Sequence, residues 1–222
     1  MRVVIAGAGN VGRSIAVELL ENGHTVLLLE KDPNNIRESS VPGGEWLVAD
    51  ACELSQLERA GLEDCDVVVA ATGDDKVNLV VALLAKTEFT VPRVVARINH
   101  PKNEWLFTEA WGVDVAVSTP RMLTALVEEA VSVGDLVRLM SLEQGRASLS
   151  ELTLAVDSPV VGRTVGEVEW PSDTALVAIL RGGRVLVPDG QMPLEPGDEL
   201  LVVATADRDS ELDALLSKPG PG

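Results

Sequence analysis

The sequence predicts an α/β chain: a doubly wound parallel sheet followed by a smaller α+β domain. Three observations carry that expectation. Over residues 1–118, short β-branched runs alternate with amphipathic stretches of helical length, the pattern of a parallel sheet covered on both faces. A glycine-rich turn, Gly7-Ala8-Gly9-Asn10-Val11-Gly12, joins the first such run to the first helical stretch. Beyond Ser150 the runs crowd between Gly, Pro and Asp turns, the spacing of antiparallel hairpins.

In chain order, strands are expected at Val3–Ala6, Thr25–Leu29, Glu45–Val48, Val67–Ala71, Val94–Arg97 and Val113–Val117. Between them, helix Val11–Glu21 stops at Asn22-Gly23, Leu54–Ala60 stops at Gly61, and Asp75–Lys86 opens on acidic residues and carries Leu79, Leu83 and Leu84 on one face. A further short helix is expected over Asn103–Ala110. Met122–Val133 has Leu123, Leu126, Val127 and Ala130 at helical spacing with no strand directly behind it, so it is expected to leave the first domain and pack elsewhere, as on a second subunit. Residues 135–148 read as a linker. The second domain follows with strands Leu152–Val156, Ala175–Leu180, Val185–Val187 and Glu199–Ala204, helix Asp207–Leu216 and a Pro/Gly tail, Lys218–Gly222.

Composition narrows the function. The net charge of −17 is spread evenly, −9 over residues 1–134 and −8 over 135–222, so both halves repel phosphate backbones and no nucleic-acid partner is expected. Four Trp, two Phe and no Tyr leave little with which to stack on bases. Neither a signal segment nor an apolar run near the ~20 residues of a membrane span is visible, and a cytoplasmic protein is expected. Cys52 and Cys65 have no CxxC spacing and no histidines nearby; no metal site is expected.

The glycine turn is informative because of its context. Gly7, Gly9 and Gly12 follow a strand and open a helix, and the next strand ends in Glu30, 18 residues beyond Gly12. Gly7 makes the tight turn, Gly9 lets a diphosphate approach the backbone, and Gly12 lets helix and strand lie close. The helix N-terminus offers unpaired N–H groups to phosphate. Glu30 is placed to accept ribose hydroxyls and its charge repels a 2′-phosphate, favouring NAD or an adenine nucleotide over NADP. Asp50, after the third strand, would lie near the adenine end. Thr72-Gly73-Asp74-Asp75 follows the fourth strand at the ligand edge, where the two acids read equally as helix caps. Arg97, ending the fifth strand, either faces phosphate or is a solvated arginine.

Catalytic equipment is thin. His24 sits in a turn on the far edge, and His100 is the single candidate acid or base near the cleft. No GxSxG elbow, P-loop or HExxH helix occurs, and no catalytic residue is assigned. An NAD-dependent oxidoreductase with His100 as acid/base is the alternative to a protein that only binds its nucleotide.

Several blocks carry a family likeness: MRVVIAGAGNVGRSIAVEL, Glu30 after strand two, VADACELSQLERAGLEDCDVVVAATGDDKVN, VPRVVARINHPKN, SPVVGRTVGEV and PLEPGDELLVVA. In these the chain resembles the TrkA/KtrA-type regulatory subunits of bacterial Trk/Ktr potassium-uptake systems, built from an RCK N-terminal Rossmann-like domain and an RCK C-terminal domain. The resemblance implies domains at 1–134, with Met122–Val133 as the crossover helix, and 149–222. It implies a cytoplasmic gating subunit that is a homo-oligomer, dimers within an octameric ring, with or without a paralogous regulatory subunit, under an integral-membrane potassium transporter. NAD(H) or ADP/ATP would set the ring's shape. By position, Gly7, Gly9 and Gly12 would meet phosphate, Glu30 the ribose, Asp50 the adenosine, and Thr72, Gly73 and Arg97 the phosphate or distal side. Asn10 and Val11 in the turn, Lys31 beside Glu30 and Ala51 beside Asp50 complete the expected lining. Asn10 and Arg121 stand where ATP-sensing relatives carry an arginine and an acid, which favours NAD(H) or ADP, with Arg13 as a substitute charge. Some relatives also bind cyclic di-AMP between paired C-terminal domains, and Val160, Val161 and Arg163 lie at that place; an ordinary interface turn is the other use of these residues.

Overall fold

The structure is a computed structural model that describes residues 1–131, 133–142, 146–205 and 207–217. The tail Lys218–Gly222 and parts of the expected linker and crossover helix lie outside the described residues. Two compact units divide the chain, Met1–Pro120 and the part from Arg121 onward.

The first unit is built on a six-stranded parallel sheet of β1 (Arg2–Ala6), β2 (Thr25–Glu30), β3 (Glu45–Val48), β4 (Val67–Ala70), β5 (Arg93–Ile98) and β6 (Val115–Ser118), in the order β3-β2-β1-β4-β5-β6. This is the Rossmann-like order expected, and it reverses between β1 and β4. The alternation in β1 sends Val3 and Ile5 to one face, against α1 (Asn10–Glu21), and Val4 and Ala6 to the other, with α3 (Asp75–Thr87) and α2 (Leu54–Arg59). Both faces are therefore core, and β1 reads as an unbroken apolar run.

The differences from expectation have local causes. The strand expected at Val113 begins at Val115, because Asp114 first turns inward: its Oδ2 accepts the Val94 N–H at 2.6 Å and pairs with Lys86 Nζ at 2.7 Å. In place of one helix over Asn103–Ala110 there are two 3-10 turns, Pro101–Leu106 and Glu109–Trp111. Their bonds reach back three residues, as from Phe107 N–H to Glu104 O, and Phe107 is anchored in the core.

From Arg121, α4 (Thr119–Val131) leads into a five-stranded antiparallel sheet of β7 (Val137–Leu142), β8 (Ala147–Thr153), β9 (Thr174–Arg181), β10 (Arg184–Leu186) and β11 (Glu199–Thr205), ordered β10-β9-β11-β8-β7. β7 and the start of β8 occupy residues read from sequence as linker. β9 and β10 are joined by Gly182-Gly183, both at positive φ (57° and 73°), the two-residue hairpin turn whose twist suits antiparallel strands. The inner face, with Leu152, Ile179, Leu200 and Val202, packs on Leu212 and Leu216 of α5 (Asp209–Leu216). Arg181 grips Asp198, which is fully buried, through Nε and Nη2 at 2.6 and 2.7 Å.

Among the described residues no helix is long and apolar enough to cross a membrane. On α4, Leu123, Leu126, Val127 and Val131 are all more than half exposed.

Candidate functional site

The turn after β1 is shaped by three glycines with different constraints. Gly7 takes φ +101°, and a Cβ there would stand 2.9 Å from the Thr72 backbone, so the turns after β1 and β4 touch. A Cβ on Gly12 would stand 2.0 Å from Gly7 O, which is how closely α1 lies on the turn. Around Gly9 the same construction meets nothing within 4 Å. Gly9 is also the N-cap of α1, and no side chain caps the helix, leaving its first N–H groups for an anion. Of the three glycines, two are pressed against neighbouring backbone and one is open. Asn10 and Val11 start α1 here.

Glu30, at the end of β2, is held against the same turn. Its Oε2 accepts the Ala8 N–H at 3.2 Å and its Oε1 the Asp32 N–H at 3.0 Å. A carboxylate so anchored keeps lone pairs for two vicinal hydroxyls. Beside it, Lys31 Nζ pairs with Asp50 Oδ2 at 2.5 Å, and Asp50 Oδ1 accepts the Cys52 N–H. The hydrogen bond to Lys31 and then the Cys52 N–H hold the Asp50 carboxyl below its ordinary pKa, and the same pairing raises Lys31. Ala51 departs from expectation. Its side chain is 7% exposed and packed in the core, so it can give a ligand only backbone.

Thr72 is engaged internally. Its N–H donates to Asn78 Oδ1 at 2.9 Å, and its hydroxyl lies 2.6 Å from the same atom and 3.1 Å from Asp74 O. Gly73, by contrast, is exposed with open space at its Cβ. Arg97, the penultimate residue of β5, lies on the face that carries Val95, the α1 side of the sheet, and its Nε is buried without a hydrogen-bond partner.

Sequence reasoning missed the network behind this edge. Asn78 is fully buried and its Nδ2 donates to Thr72 O and Arg97 O, joining β4 to β5. Asp75, 5% exposed, is no ordinary helix cap. It accepts the Asn99 and His100 N–H groups and the side-chain amides of Asn99 and Asn103. Burial pushes its pKa up, and these four bonds push it further down, so the net shift is downward. Asp74 is a cap, accepting Lys76 N–H at 2.8 Å. The signal available was two polar residues, Asp75 and Asn78, on the stripe of α3 that also buries Leu79 and Ala82. His100 is exposed and lends this network its backbone.

In the second unit the expected trio separates. Val160 is fully buried in the core and cannot line a surface site, a correction to its expected place beside a ligand; Val161 is partly buried. Arg163 is exposed and bonds Glu167 O. Cys65 is buried, its thiol pushed up to about 11 by burial. Among the described residues no cluster of three or more His, Cys, Asp or Glu could hold a metal ion.

Family models match both units: the TrkA-N domain over residues 3–119 and the TrkA-C domain over 149–217. The chain is 59% identical over 216 residues to the Trk system potassium uptake protein TrkA of Mycobacterium tuberculosis, covering 97% of this chain and 98% of that protein. It is 31% identical over 208 residues to a TrkA homolog of Methanothermobacter thermautotrophicus, covering 93% and 95%. Among solved structures, the GsuK channel bound to NAD aligns with a TM-score of 0.66 at 16% identity, over 99% of this chain and 40% of that one. GsuK bound to ADP aligns at 0.53 and 14%, over 60% and 35%. With both domains present and the mycobacterial protein matched end to end, the chain belongs to the TrkA family of Trk-system potassium uptake proteins, regulatory subunits and not enzymes.

Proposed function

We propose that this chain is a cytoplasmic regulatory subunit that binds an adenine nucleotide, NAD(H) or ADP/ATP, at the β1–β4 crevice and thereby controls an integral-membrane potassium transporter. The observation that carries the reading is the pairing of Glu30 with the glycine turn. A carboxylate bonded at 3.2 Å to Ala8 N–H stands beside an open Gly9 and an uncapped helix N-terminus, which is ribose recognition next to diphosphate recognition. Gly73 and Arg97 extend the same edge. The NAD- and ADP-bound GsuK structures share the fold, and that likeness supports the nucleotide class.

The oxidoreductase alternative built on His100 gives way to the family membership. The exposed apolar side of α4 supports self-assembly into dimers and rings. Control needs only that the two assembly shapes differ in affinity: about a tenfold difference, about 1.4 kcal/mol, shifts their ratio tenfold.

Protein denatured after purification should release an adenine nucleotide identifiable by mass spectrometry, and the stripped protein should gain melting temperature with NAD+, NADH, ADP or ATP. Glu30→Gln should weaken the binding by about tenfold or more, as expected for loss of a charged hydrogen-bond acceptor. No released nucleotide and no shift with any of the four would remove the proposal.

A further inference from the structure

We infer that Arg13 is the residue through which the glycine turn reads phosphate charge, making the site selective for a nucleoside diphosphate group over a nucleoside. The inference rests on the nucleotide reading above and concerns which group supplies the positive charge.

Arg13 lies on the first turn of α1 and reaches back over the loop. Its Nη1 donates to Ala8 O at 2.5 Å and its Nη2 to Asn10 Oδ1 at 2.7 Å. The guanidinium thus holds the residues on both sides of Gly9, the one glycine of the three with open space over it. Among the described residues no carboxylate lies within 4.0 Å of it, so none of them neutralises its charge. The contrast is Lys31, whose charge is taken by Asp50 at 2.5 Å.

The ligand's charge makes such a group necessary. A diphosphate carries about two negative charges near neutral pH, whereas a helix N-terminus offers the equivalent of about half a positive charge. The chain as a whole, at −17, repels an anion, and Glu30 adds a carboxylate at the site. A guanidinium has five N–H donors, of which two are used here, so Arg13 can meet phosphate oxygens without leaving the loop. Ala8 also links the two ends: its N–H is on Glu30 Oε2 and its carbonyl is under Arg13. Ribose and phosphate recognition therefore meet at one residue, on the two peptide groups that flank its Cα.

The test is calorimetric titration of the full chain, stripped of ligand, with adenosine, AMP, ADP and NAD+, for wild type, Arg13→Gln and Arg13→Lys. The expected result is a loss of about tenfold in ADP and NAD+ affinity in Arg13→Gln with adenosine affinity within twofold of wild type, which also shows the variant is folded. Arg13→Lys, which keeps the charge, should restore ADP affinity to within about threefold of wild type. Unchanged ADP binding in Arg13→Gln, equal weakening of adenosine and ADP, or no recovery with lysine overturns the inference while leaving the nucleotide reading intact. A wild type that binds none of the four probes overturns both.

Discussion

Asp75 shows what a single residue contributes to the ligand edge. Its carboxylate gathers four hydrogen bonds that hold residues 99–103 beside α3, and Asn78, one turn further on, holds Thr72 and Arg97. Because its folded pKa lies below the ordinary value of about 3.9, its contribution to stability is full above that value and fades as the pH falls through the lower, folded one. Asp75→Asn places an amide against donors it cannot accept from as well, and should cost about 1–3 kcal/mol at pH 7. The difference in melting temperature between variant and wild type should be steady from pH 7 to 5 and narrow below about pH 4; scanning calorimetry across that range reads it, and a gap independent of pH would refute the assignment. In the sequence the sole trace of this network is two polar residues on the apolar stripe of α3, and their partners were not legible. The contact of Glu30 with the glycine turn was legible, because both follow directly on the ends of adjacent strands, whereas Asn78 bonds backbone atoms 6 and 19 residues away. Ala51 shows the complementary limit: proximity in sequence to Asp50 says nothing about which way a side chain points, and this one packs in the core, leaving only its backbone for a ligand.

At the scale of elements, the strand–turn–helix unit β1–α1 separates fold from function. Gly12 is where helix and turn meet, and Gly9 is where nothing meets. A methyl at Gly12 must displace α1 from Gly7 O, an overpacking that should cost about 1–3 kcal/mol and reduce nucleotide binding with it. A methyl at Gly9, whose φ of −67° suits alanine, should leave the melting temperature within a degree or two of wild type and yet weaken ADP binding about tenfold by filling the approach to the backbone. Thermal melting and titration of the two variants side by side decide it; a Gly9→Ala protein that binds normally would show that phosphate does not sit over this turn. The elements themselves were legible wherever both faces of a strand are buried, as in β1, β2 and β4. β7 was not, because it lies at the sheet edge and carries exposed Arg138 and Met140 between its inward residues, a pattern that also reads as linker. The 3-10 turns were misread as helix because the spacing does not reveal that Asp75 fixes Asn103 and the core fixes Phe107.

The whole molecule raises the question of what a bound nucleotide could move. Each unit has its own core, and each was recognisable in the sequence from its texture: helix-spaced strands in one, hairpin-spaced strands in the other. The feature that belongs to neither core is the apolar side of α4, where Leu123, Leu126, Val127 and Val131 stand 64, 57, 54 and 76% exposed. Four large aliphatic side chains at helical spacing are an association surface. A subunit that binds ligand but stays alone can change only its own affinity; one that shares α4 with a second copy makes its ligand state a property of the assembly. Light scattering after gel filtration should therefore give a mass at least twice the 23.5 kDa of one chain. Leu123→Lys with Leu126→Lys, which buries charge in any such contact, should reduce that mass while ADP affinity stays within about threefold of wild type, since the glycine turn and Glu30 belong to the other unit. A wild-type mass of one chain, or a double variant that assembles as before, would place the association elsewhere and leave the exposed side of α4 without a role in control.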